Sequence, residues 1–197
     1  GLSPRSETQP CAVDARAHVP LMRSLRKLGL GGGCHWCTEA VFQSLVGVER
    51  VRQGFITSDP PNEAMSEAVL VDWEAKRLPL DVLIEVHLRT HASTSPHTMR
   101  GKYRSALYVM DAVQADACTA ALARLQPEFE EPLITRVLPF RAFQPSDARF
   151  QNYYATDPER PFCRTYIEPK LTMLRRRYGA SLVSPAASSG DETTRAR

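Results

Sequence analysis

The chain has 197 residues, 43% hydrophobic and 24% charged, with a net charge of +3 and an isoelectric point near 8.7. That is enough for one domain with a substantial core and short for two, and no apolar run approaches the ~20 residues of a membrane helix. The basic residues are dispersed apart from Arg175, Arg176 and Arg177, so neither nucleic acid nor membrane is expected as a partner, and the expected setting is cytoplasmic.

Residues 1–20 are polar and irregular and read as a flexible N-terminal arm. A strand is expected over 26–31, followed by a helix over 36–46 in which Val41, Phe42 and Leu45 fall at helical intervals. Another strand runs from about Val48 to Phe55, and Asp59-Pro60-Pro61-Asn62 breaks the chain before a strand over 67–73. Leu80 to His91 reads as an amphipathic helix, with Val82, Leu83, Val86 and Leu88 inward and His87 and His91 on its polar edge. Residues 105–110 form a further strand, which makes the order β-α-β-β-α-β, the split βαβ arrangement of ferredoxin-like domains in the α+β class. An additional helix over 112–126, with Cys118 buried on its alanine-rich face, and a strand over 133–138 follow. From 143 the signals are mixed and the segment reads as irregular, with the arginine run on a solvated helix face over 169–178. Residues 179–197, rich in Ser, Ala, Thr and charge, read as a flexible tail, which leaves 21–178 as a single domain.

Five cysteines (Cys11, Cys34, Cys37, Cys118, Cys163) are an odd number in a chain longer than small disulfide-stapled domains, which disfavours a structural disulfide framework. Cys34 stands out because it follows Gly31-Gly32-Gly33 and precedes the expected helix. Unpaired N–H groups and the dipole at a helix start stabilise an anion, and can lower a cysteine pKa from about 8.5 into the range of roughly 3.5–7.5. The glycines leave room for a substrate to approach. The alternative is a small buried cysteine in a tight turn.

Gly33-Cys34-His35-Trp36-Cys37-Thr38-Glu39-Ala40-Val41-Phe42, with Gly47-Val48 and Gly54 after it, resembles the N-terminal signature of the peptide methionine sulfoxide reductase A family. Four further blocks follow in family order. They are Ser66-Glu67-Ala68-Val69, Tyr103-Arg104-Ser105-Ala106, the set Phe143, Pro145 and Gln151 to Tyr154, and Pro161-Phe162-Cys163 with Ile167 and Pro169-Lys170. The resemblance covers roughly residues 27 to 174. It implies thiol-dependent reduction of methionine S-sulfoxide, free or in oxidised proteins, by a monomer with no bound cofactor or metal. Cys34 would attack the sulfoxide sulfur as thiolate, and Glu67, if an apolar surround holds its proton, would protonate the departing oxygen. Tyr103 would hydrogen-bond that oxygen, and Trp36 would hold the S-methyl group. The resulting Cys34 sulfenic acid would condense with a second thiol. Cys163, in a segment near the tail that can swing, is the first candidate, and Cys37 the second. Thioredoxin or another external dithiol would then reduce the disulfide.

Three positions depart from the family pattern. His35 replaces a phenylalanine of the methyl pocket, Thr98 replaces an aspartate five positions before Tyr103, and the loop between Phe55 and Glu67 is short and lacks a substrate-side tyrosine. His35 and His97 are candidates to substitute for the missing groups. Competing readings are a sulfoxide-binding homologue without catalysis, a thioredoxin-like Cys34-x-x-Cys37 oxidoreductase, and a zinc module using Cys34, Cys37, His87 and His91. The roughly fifty residues between the last two pairs far exceed a zinc-finger spacing.

Overall fold

A computed structural model describes residues 24–183. Six strands form one sheet: β1 (Leu25–Gly31), β2 (Val48–Thr57), β3 (Ser66–Glu74), β4 (Ala106–Val109), β5 (Arg136–Pro139) and β6 (Ala142–Pro145). Five α-helices accompany them: α1 (His35–Gln43), α2 (Leu80–Thr90), α3 (Ala112–Leu125), α4 (Tyr153–Thr156) and α5 (Glu168–Tyr178). The spatial order is β5-β4-β1-β3-β2-β6, antiparallel throughout except for the parallel β4–β5 pair. The fold is therefore mixed α+β.

Strand alternation sorts the two faces of the sheet. Leu28 and Leu30 of β1 and Val69, Val71 and Trp73 of β3 meet α1, α2, α3 and α5 in the main core, where Phe42, Leu83, Ile84, Cys118 and Leu174 are fully buried. The opposite face carries a smaller cluster of Ile56, Ala68, Ala106 and Tyr108. A Cβ at Gly29 would lie 2.7 Å from Ile56 Cδ1 and 2.8 Å from Tyr108 Cβ, so only glycine lets these strands pack there.

Several expectations shift. The first helix ends at Gln43, and the strand expected over 133–138 lies at 136–139, because Leu133 and Ile134 donate their N–H groups to Gln126 Oε1 and Ser93 O instead of to a strand. The segment from 143 is ordered, holding part of β6, α4, a π-helical turn (Cys163–Ile167) and α5. His87 is not on a polar edge. It is 1% exposed, because α2 packs against both α1 and α3, and its ring lies 6.2 Å from Phe42 and 4.3 Å from His91. Residues 179–183, expected as tail, are tied to the end of α1 through Val46 N–H to Ser181 O (2.8 Å) and Val183 N–H to Ser44 O (2.9 Å). Cys11 and most of the expected arm and tail lie outside the described residues.

Candidate active site

Three strand ends converge on the turn between β1 and α1. Gly31 pairs with Ala68 of β3 and with Ala106 of β4, so the residues just before those strands arrive at the same place. Glu67 precedes Ala68 and shares the helix-covered face with Val69, which puts its carboxylate under the start of α1. The loop before β4 is fastened there as well. Lys102 O accepts the Glu67 N–H (2.9 Å) and the Ser66 hydroxyl (3.0 Å), and Ser66 Oγ accepts the Arg104 N–H (2.8 Å).

The glycines before Cys34 permit close packing from the other side. A Cβ on Gly32 would lie 2.4 Å from the His91 ring, and one on Gly31 2.8 Å from Arg104 O. Burial holds the His91 pKa down at about 4, so the ring is neutral, donating from Nδ1 to His87 O (2.6 Å) and accepting at Nε2 from Ser105 Oγ (2.8 Å). Burial likewise lowers the pKa of His87, whose ring nitrogens have no hydrogen-bond partner of standard geometry among the described residues.

Cys34 is the N-cap residue of α1. Two acids divide the free donors of this helix start. The His35 N–H donates to Glu67 Oε2 (3.2 Å), while the N–H groups of Trp36 and Cys37 favour a thiolate at Cys34. The strongest influence on Cys34 is the Cys37 thiol, which donates toward its sulfur. Burial and the Glu67 charge oppose it, and the pKa settles at about 7, against an ordinary 9.0. The same contact pushes the Cys37 thiol well up. The Cys37 thiol therefore does more to lower the Cys34 pKa than the N–H groups of the helix start.

A cleft of about 660 Å³ opens beside Cys34. Cys37 and Thr38 line it from α1, Thr90 and His91 from the end of α2, His97, Met99 and Tyr103 from the following loop, and Phe162, Tyr166 and Lys170 from the C-terminal segment. Arg100 fixes the loop by donating to the carbonyls of Gly32, Tyr103 and Ser95 (each 3.0 Å) and of Ala92. Lys170 Nζ donates to Thr90 O (2.5 Å), and its charge favours the ionised form of Cys37.

The candidates from the sequence do not all meet in this cleft. Cys34, Cys37, Tyr103 and His97 line it. Glu67 reaches the nucleophile's turn from the strand side, and its surround is polar. Lys102 Nζ stands 3.4 Å from Oε1, and His35 Nδ1 3.8 Å from Oε2. The His35 ring is 7% exposed, donates from Nδ1 to Gly54 O (2.9 Å) and meets the Phe55 ring edge-on. Trp36 stacks on Tyr153 (centroids 4.1 Å, planes 11° apart) and meets Phe162 edge-on. Neither His35 nor Trp36 is part of the cleft lining. Cys163 does not line the cleft. It is fully buried in the π-helical turn that runs into α5, its Sγ donating to Asp157 O at 3.6 Å.

Three contributors were missed in the sequence: Arg100, Lys170 and Glu39. Glu39 is 1% exposed. Its Oε1 accepts the Asn152 N–H (2.8 Å), and its Oε2 accepts the Tyr153 N–H (3.0 Å) and Gln53 Nε2–H (2.7 Å). This latch seats Tyr153 against Trp36. A buried-site acid inside the cysteine motif was the available signal. Among the described residues, no group of three or more His, Cys, Asp or Glu is arranged to hold a metal ion.

A cysteine of lowered pKa at a helix start, with an acid and a second thiol at the same turn, is an arrangement suited to thiol-based oxidoreductase chemistry. The family model for peptide methionine sulfoxide reductase matches residues 26–182, so the chain belongs to that family and is an enzyme of that activity. A relative from Chromobacterium violaceum, peptide methionine sulfoxide reductase MsrA, is 32% identical over 170 residues, covering 78% of this chain and 97% of its own. An MsrA from Thermus thermophilus is also 32% identical, covering 79% and 96%. Among solved structures, reduced Mxr1 from Saccharomyces cerevisiae shares the fold, with a TM-score of 0.63 and 19% identity over 72% of this chain and 91% of its own. Mxr1 in complex with Trx2 matches with a TM-score of 0.52 and 21% identity over 66% and 84%.

Proposed function

We propose that this chain reduces methionine S-sulfoxide, free or in oxidised proteins, with Cys34 as the attacking thiolate. The observation that carries this reading is the placement of Cys34 as the N-cap residue of α1 in the wall of the cleft, with the Glu67 carboxyl group on the next N–H (3.2 Å) and Cys37 lining the same cleft. Attack on the sulfoxide sulfur weakens the S–O bond, and the proton that the departing oxygen needs comes from solvent through the Glu67 carboxyl group, which passes it on. Tyr103, which lines the cleft, donates to that oxygen. Cleavage leaves methionine and a Cys34 sulfenic acid.

The second thiol is Cys37 in this reading, because it already donates toward Cys34 Sγ. It loses its proton, attacks Cys34 and releases water, giving a Cys34–Cys37 disulfide. Lys170 supports that step through its favourable charge at Cys37. Cys163 is the reserve partner, near enough to Cys37 to influence its ionisation but held within the core. Thioredoxin or another dithiol then restores both thiols. The Trx2 complex of Mxr1 supports that choice of reductant. Phe162 and Tyr166 line the cleft and supply the aromatic wall for the S-methyl group, with Trp36 behind Phe162 and His35 turned to Gly54. His97, at the cleft wall, is the remaining group able to meet a substrate oxygen in place of the missing aspartate. The antiparallel order β4-β1-β3-β2 supports the ferredoxin-like reading of the central strands, within one catalytic domain.

Incubation with dithiothreitol and each epimer of a methionine sulfoxide peptide tests the activity. One epimer should be converted to methionine by the wild type and neither by Cys34→Ser. Conversion of neither by the wild type refutes the reading.

A further inference from the structure

The 3₁₀ turn Thr98–Gly101 brings an exposed methionine to the cleft. Met99 is 52% exposed and lines the same cavity as Cys34, Cys37 and Tyr103. Met65 and Met110, at 45% and 37%, are comparably exposed but do not border that cavity. Solvent access makes all three thioethers open to a peroxide. Of these three, Met99 is the one placed where the proposed chemistry occurs.

The backbone holding Met99 is anchored. Its carbonyl accepts the N–H groups of Lys102 (3.1 Å) and Tyr103 (2.9 Å), so Tyr103 sits one turn further along the same wall. The neighbouring Arg100 ties that wall to Gly32 O, two residues before the nucleophile. With both of these cleft walls held by backbone bonds, the search left to the Met99 side chain is rotation about its own flexible bonds.

We propose that Met99, once oxidised, is an intramolecular substrate of Cys34, an inference that rests on the reductase reading above. Hydrogen peroxide transfers one oxygen atom to the Met99 sulfur and leaves as water. The Cys34 thiolate attacks the sulfoxide sulfur, and the oxygen, with its proton, ends on Cys34 as sulfenic acid while Met99 returns to the thioether. The Cys37 thiol condenses with the sulfenic acid, expelling water, and an external dithiol reduces the resulting disulfide. Tethering gives Met99 an effective concentration on the order of millimolar, far above that of a second chain in dilute solution. The cleft would thus clear its own wall of a polar sulfoxide before a separate substrate arrives.

The test uses the full chain with its thiols reversibly capped as methyl disulfides. Hydrogen peroxide oxidises the methionines and is removed, dithiothreitol frees the thiols and starts the reaction, and peptide mass mapping follows Met65, Met99 and Met110. A methionine sulfoxide peptide in a parallel sample reports ordinary activity. The Met99 sulfoxide of the accepted epimer, about half of the total, should disappear. Its rate should be unchanged over a roughly tenfold dilution of the protein, whereas any loss at Met65 and Met110 should slow in proportion. Cys34→Ser should retain all three sulfoxides. If the peptide is reduced while Met99 sulfoxide persists, or decays in proportion to protein concentration, the intramolecular reaction is refuted and the reductase reading stands. If the peptide is not reduced either, both fail.

Discussion

Replacing Cys37 with alanine should raise the ionisation midpoint of Cys34 from about 7 to its ordinary value of 9.0 or beyond. The Cys37 thiol is the largest stabiliser of the thiolate. Without it, the Trp36 and Cys37 N–H groups are left against burial and the Glu67 charge, both of which favour the thiol. A midpoint moving from about 7 to about 9 lowers the thiolate fraction at pH 7 from about one half to about one hundredth, a loss of roughly 50-fold. Iodoacetamide labelling of Cys34, read by peptide mass across pH, measures this directly. The midpoint is the quantity to compare, since a more basic thiolate is also a better nucleophile and partly offsets the loss in rate. Cys37→Ser keeps an O–H donor at the same place and should hold the midpoint near that of the wild type. An alanine variant that titrates at the wild-type midpoint would show that the helix start alone activates Cys34, and the reasoning would be wrong.

In the wild type, single-turnover reduction at constant substrate should increase as pH rises through about 7, where Cys34 loses its proton. A profile flat across that interval counts against a rate set by Cys34 ionisation. Arg100→Met removes a charged donor from four carbonyls, and because the guanidinium is only partly buried the net cost should be ~2 kcal/mol. Faster limited proteolysis between 92 and 103, together with reduced turnover, is the expected result, and wild-type protease resistance would contradict it. Glu39→Gln leaves one oxygen for donors from Gln53, Asn152 and Tyr153 and should cost ~1–3 kcal/mol, visible in the denaturation midpoint and in the near-ultraviolet signal of the Trp36–Tyr153 stack. Neither should change if the latch is dispensable. Cys163→Ser should still give the Cys34–Cys37 disulfide after one turnover without reductant. A persistent Cys34 sulfenic acid in mass mapping would return the resolving role to Cys163.

The parts of the site that were legible in the sequence are those encoded locally. The glycines, Cys34 and Cys37 sit within seven consecutive positions of one turn, whereas Glu67 stands out through the family resemblance and not through its place in the strand. The supporting shell is encoded at a distance. Glu39 meets Asn152 and Tyr153 across 113 and 114 positions, and Arg100 meets Gly32 across 68, separations over which no periodic pattern carries information. Strand β6 has four residues, too few for alternation to be distinguished from loop composition. His87 shows the opposite failure. Helical periodicity assigns a histidine beside Val86 to the polar edge, but packing of α2 on two helices buries more than one face. Nearness to the chain's end says nothing of burial, and the turn that holds Cys163 runs into α5, whose Leu171 and Leu174 are core residues.

The outermost strands, β5 and β6, are four residues each, and each ends in proline: Pro139 and Pro145. Proline has no N–H to offer a passing chain, and a short rim gives it little ladder to extend. A damaged protein exposes loosened, strand-forming segments of its own, the material that adds most readily to an open sheet. A short rim that ends in proline leaves such a segment little edge to join.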